Sequence, residues 1–176
     1  MRFAAVLTLA LLAVEPVPAR ADDFVVAGNS NLAAMNEPAL WRSSRKIETY
    51  RLLWLRSFDP PMAFRLVINT DGTSKLVTKK TDGQGDYEPG ALALNKTTQI
   101  DKRETRILLE ALTRIGFWDL PTDEDRSELG FDGSQWIIEG VKDGKYHRIE
   151  RWNGGEIRDW ALRLMRKSGE DLQPFY

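Results

Sequence analysis

The 176-residue sequence predicts an α+β fold: an antiparallel sheet of about six strands, in the order ββββαββα, with two helices packed on one face. Three observations carry that expectation. Asp71-Gly72 and Asp143-Gly144 each lie between runs rich in β-branched and alternating apolar residues, the short-range signature of a hairpin. Two later stretches repeat apolar residues at helical spacing and stop at glycine. The strands are separated by short turns, which suit antiparallel neighbours.

Taken in order, Met1 and Arg2 precede an apolar run from Phe3 to Val14, and Ala19-Arg20-Ala21 has the small-x-small form of a cleavage site. Residues 1–21 therefore read as a secretory signal peptide whose apolar run is too short to span a bilayer. Residues 22–46 show no sustained period and read as a flexible N-terminal arm, with one helical turn near Leu40. A single α+β domain is expected over 47–176.

Glu48 to Phe58 is the first strand, apolar on much of both faces and so placed inside the sheet; Asp59-Pro60-Pro61 ends it. Phe64–Asn69 and Lys75–Lys80 form the first hairpin. A bulged turn at Gly72 would set Ile68 against Leu76 and Val67 against Val77. Residues 82–90 form a glycine-rich loop, and Ala91–Ile100 a fourth strand. Asp101 and Glu104 have capping-box spacing before Leu108, Ala111, Leu112 and Ile115, so a helix runs from Lys102 to Ile115 and stops at Gly116. After an acidic linker, Gln135–Lys142 and Lys145–Trp152 form the second hairpin, and Glu156–Lys167 the last helix.

Composition excludes several chemistries. With no cysteine and one histidine, His147, the chain has no disulfide, thiol nucleophile or histidine-rich metal site. Without residues 1–21 it retains 23 basic and 25 acidic residues, a net charge of −2, which lacks the electrostatic footprint of a nucleic-acid binder. Export without cysteine suits the bacterial periplasm, with secretion as the alternative.

The most distinctive stretch is Asp132-Gly133-Ser134-Gln135-Trp136-Ile137-Ile138-Glu139, answered by Tyr146-His147 and Arg151-Trp152. Over roughly Glu48 to Gly169 the chain resembles a group of uncharacterised bacterial exported proteins that carry an Asp-Gly-x-x-Trp-x-x-Glu strand followed by Tyr-His-x-x-x-Arg-Trp. The resemblance implies a shared fold and compartment and implies no activity. The relatives commonly follow the Trp with a Ser-Pro turn, whereas Asn153-Gly154-Gly155 stands here.

The register of this hairpin decides its chemistry. A two-residue turn sets Glu139 against Arg148 and Gly140 against His147; a one-residue bulge sets Glu139 against His147. Only the bulged register makes a base-and-orienter pair. The leading expectation is accordingly a non-catalytic binding module of the cell envelope, with Trp136, Tyr146, Arg151 and Trp152 at its site and an open sheet face beside them. A small envelope hydrolase using Glu139 and His147 is the alternative. Neither a cofactor nor a metal is expected. The acidic residues 119–132 break the EF-hand spacing, which leaves an irregular calcium site as a minor reading. The expected partner is a protein, a peptide or an envelope component, with no transmembrane anchor once residues 1–21 are removed.

Overall fold

A computed structural model describes residues 29–43, 47–84, 88–123, 133–173 and 175. The signal-peptide reading, the acidic residues 124–132 with their calcium alternative, and Asp132 of the motif lie outside them. The strands are β1 Glu48–Arg56, β2 Met62–Ile68, β3 Ser74–Thr81, β4 Leu92–Ile100, β5 Ser134–Lys142 and β6 Lys145–Trp152. Among the described residues the helices are α1 Asn29–Ala34, α2 Lys102–Ile115 and α3 Arg158–Arg166. The fold is α+β, with the expected order of strands and main helices.

The six strands form one antiparallel sheet in the order β4-β3-β2-β1-β5-β6. β1 is thus an interior strand, and both of its faces are covered. Tyr50, Leu52 and Trp54 point to one face, where Phe64, Leu66, Leu76, Trp136 and Ile138 join Leu108 and Leu112 of α2 and Trp160, Leu164 and Met165 of α3 in the main core. Burial of such side chains supplies the principal driving force for folding.

The first hairpin is tighter than expected. Ile68 pairs with Ser74, and Leu66 rather than Ile68 lies opposite Leu76. Asn69 explains the shift: its N–H donates to Thr73 O at 2.8 Å and its side-chain amide to Thr73 Oγ1 at 2.9 Å, closing the turn early. A slip of two residues leaves every side chain on its expected face. Asp101 caps α2 by accepting from Glu104 N at 2.9 Å, and Gly116 ends it at φ 73°. Glu104 does not reach back to complete the box. Its carboxylate turns to α3, where Arg163 Nε donates at 2.6 Å, and these bonds hold its pKa below the usual carboxylate range. The last helix opens with a 3-10 turn at Gly155–Ile157, so regular helix starts at Arg158 instead of Glu156.

The larger correction concerns the N-terminal arm. Residues 29–43 are seated on the second face of the sheet, through α1 and a 3-10 turn at Leu40–Arg42. Leu32, Met35 and Leu40 are buried there, with Leu32 and Met35 packing against Leu53, Leu55, Ala63 and Ile137. We call this segment the strap. The sheet face expected to be open is the one it covers.

Candidate functional site

The β5–β6 hairpin adopts the two-residue turn, with Asp143 at φ 52° and Gly144 at φ 77°. Glu139 pairs with Arg148 and Gly140 with His147. Because directly opposed residues share a face and successive residues alternate, Glu139 and His147 point to opposite faces of the sheet. The base-and-orienter pair is not formed, for this geometric reason. Each side chain has another engagement. Glu139 accepts from Arg51 Nε at 2.8 Å and from Tyr146 Oη at 2.9 Å, while His147 Nε2 lies 3.0 Å from Leu120 O. Burial lowers the His147 pKa below its ordinary value, against the hydrogen bond to Leu120, which raises it. The ring also packs edge-on against Phe117 at 5.2 Å.

The four residues expected to bind are not brought together either. Trp136 and Arg151 are opposed on the helix-covered face, whereas Tyr146 and Trp152 project to the strap face. Trp136 is fully buried, donates to Ser134 Oγ at 2.7 Å and lies 6.0 Å from the Trp54 ring. Arg151 is 2% exposed and acts as a clasp: its guanidinium donates to Pro121 O, Thr122 O and Glu156. Trp152 covers Gly133, where a Cβ would come within 2.6 Å of the indole ring. Tyr146 is half-buried against Glu139, and burial together with that carboxylate raises its pKa. The described part of the motif is thus accounted for by packing and register.

Sequence reasoning missed the polar group beneath the strap. Arg51 and Arg65 are directly opposed on β1 and β2, a like-charge pair that is unfavourable unless something neutral or negative intervenes. Glu37 of the strap intervenes. Its Oε2 lies 2.8 Å from Arg65 Nε and 3.3 Å from Arg51 Nη1, and its Oε1 lies 3.1 Å from Lys79 Nζ. Lys79 also donates to Met35 O at 2.8 Å and Asn36 O at 2.9 Å, and Arg51 donates to Pro38 O at 2.7 Å. A second carboxylate, Glu139, takes the other edge of the Arg51 guanidinium. Arg51 and Glu37 have side-chain exposures of 0% and 1%, so these charges are desolvated and their pairing is obligatory. The available signal was Arg51 itself, a charge inside a strand that is apolar on both faces.

On the opposite layer, α2 and the β2–β3 turn frame a recess of about 600 Å³. Ile68 and Leu109 form its apolar floor, and Lys102, Arg106 and Arg114 stand at its rim beside Glu110. Arg106 and Glu110 pair loosely at 3.7 Å, both well exposed, so that pair adds little stability. The two hydroxyls in the lining have structural partners, Thr105 Oγ1 lying 2.7 Å from Ser74 Oγ and Thr113 Oγ1 donating to Leu109 O at 3.1 Å. Among the described residues no group of three or more His, Asp or Glu side chains is placed to hold a metal ion, and no helix is long and apolar enough to cross a membrane. Compared with known proteins, the chain matches no family model and no curated protein.

Proposed function

We propose that the protein is a non-catalytic, exported binding module of the cell envelope, and that it meets an acidic protein segment at the recess beside α2. The observation that carries the reading is the separation of Glu139 from His147 across the sheet, each held by structural partners. A histidine-dependent hydrolase would need its one histidine hydrogen-bonded to an acid or a nucleophile, and the His147 ring instead bonds a backbone carbonyl and packs against Phe117 and Trp118. The recess supports the binding half of the reading. Its apolar floor suits one or two apolar side chains, and three basic side chains against Glu110 favour a negatively charged partner, chiefly through encounter rate and specificity.

The test uses paired baits. Wild-type protein, His147→Gln and the charge reversal Arg106→Glu/Arg114→Glu are each used to capture partners from an envelope extract. The reading expects one acidic protein retained by the first two baits and lost by the third, with retention weakening as salt rises. A partner retained equally by all three would overturn the assignment to the recess. Hydrolysis of an envelope substrate that disappears in His147→Gln would overturn the non-catalytic reading.

A further inference from the structure

The strap face holds a site that the recess does not use. We infer that Arg51, Arg65 and Lys79 form a carboxylate-binding site on the sheet, filled in this state by Glu37, and that an acidic peptide segment of a partner protein competes with the strap for it.

The geometry is that of a bound ligand. One carboxylate is met from three sides by cations on three adjacent strands, β1, β2 and β3. The flanking strap backbone is held as well, through Met35 O, Asn36 O and Pro38 O. Side chains recognise the strap where it turns out of α1, with Met35 and Asn36 in the turn and Asn36 at φ 51°, while the strap contributes no strand to the sheet. The charge count favours an acidic occupant. With Glu37 in place, three cations meet two carboxylates, Glu37 and Glu139; without it, three cations face Glu139 alone. A vacated site would therefore draw in a carboxylate from elsewhere.

A second, independent observation bears on how firmly the strap holds. Asn31 of α1 is fully buried, yet neither its amide nitrogen nor its oxygen has a hydrogen-bond partner among the described residues. Natural interfaces rarely leave such groups unmade, because each forfeits its hydration without return. Only three buried apolar side chains, Leu32, Met35 and Leu40, anchor the fifteen described strap residues. The combination is that of a segment at the low-stability end of the molecule, where local opening precedes global unfolding.

The inference does not rest on the recess and can fail or succeed without it. Its test is a fluorescence titration of full-length chain with a labelled peptide spanning residues 31–42. In the wild type the tethered strap competes at high effective concentration, so binding is weak. Glu37→Gln weakens the internal competitor and is expected to tighten peptide binding by about tenfold or more, in proportion to the open fraction. Adding Arg65→Ala should cancel the gain, and a peptide with Gln in place of its Glu should not bind the Glu37→Gln chain. Equal binding by wild type and Glu37→Gln, or indifference to the peptide's carboxylate, would overturn the site. Elution of the chain as a dimer that the peptide dissociates would overturn the partner in favour of a second copy. Should Glu37→Gln fold poorly, Glu37→Ala gives an equivalent readout. Its melting temperature should recover in propionate but not in propionamide, and recovery in neither or in both would overturn the site.

Discussion

Leu52 and Arg51 are neighbours on β1, both fully buried, and they look out on two different solutions to covering a sheet. On the Leu52 side, α2 and α3 close over an aromatic and aliphatic core in which Trp54, Phe64, Trp136 and Trp160 are nearly inaccessible. On the Arg51 side, a short irregular segment closes over a row of paired charges. Apolar burial is non-directional and tolerates small adjustments, whereas a buried charge is stable only with its own partner in place. The first face therefore supplies most of the stability, and the second fixes where the strap sits.

The largest contrast is expected from truncating each neighbour and then attempting rescue. Leu52→Ala should cost about 2–5 kcal/mol, through lost transfer energy and a residual cavity. Arg51→Met should cost about 3–5 kcal/mol, because it strands Glu139 and weakens the hold on Glu37. The faces part at the second step. Adding Glu139→Leu to Arg51→Met removes the stranded charge and should restore stability to within about 1 kcal/mol of wild type or better, since apolar replacement of a buried pair is often neutral. Urea unfolding of the four proteins measures this. A double variant no more stable than Arg51→Met would show that the charge row contributes net stability and would break the contrast.

A smaller effect probes the helix-covered face alone. Gly140 lies opposite His147, and a Cβ there would come within 2.6 Å of Phe117 Cε1 and 3.1 Å of Tyr50 Cδ1. Gly140→Ala must push two packed rings, so about 1–3 kcal/mol of destabilisation is expected in the same urea assay. A neutral result would mean that the Phe117 and Tyr50 rings move aside at little cost.

The same two faces explain what could be read from residues alone. The element order, the interior position of β1 and the cap at Asp101 follow from local patterns, and the structure agrees with them. Strand parity would also have separated Tyr146 and Trp152 from Trp136 and Arg151, had the Asp143-Gly144 turn been fixed at two residues. The strap was illegible for a different reason. Its anchors, Leu32, Met35, Glu37 and Leu40, follow no helical or strand period, and Glu37 meets residues 14, 28 and 42 positions away through long side chains. Contacts of that kind leave no mark in a hydrophobic pattern. Arg51 was the one local sign, since a charge on an interior strand needs a counter-charge from elsewhere in the chain.

The smallest effect separates the faces by pH, and its sign follows from His147. The ring sits on the helix-covered face, where burial lowers its pKa in the folded protein relative to the ordinary value of 6.5. Between the lowered value and 6.5, the unfolded chain binds a proton that the folded chain refuses. Its stabilising contribution is therefore complete above 6.5 and is lost as pH falls through the lowered folded value. His147→Gln cannot take up that proton and still offers a side-chain donor to Leu120 O. Wild type and His147→Gln should differ little at pH 7.5, and the wild type should lose more of its urea midpoint as pH falls below 6.5. Carboxylates lowered by their partners, Glu104 and Glu156 among them, also cost stability in acid. They are present in both proteins, so they cancel in the difference. Parallel pH profiles would mean that the Leu120 contact offsets the burial of the ring. The histidine would then be as fully accommodated among its aromatic neighbours as Arg51 is among its carboxylates.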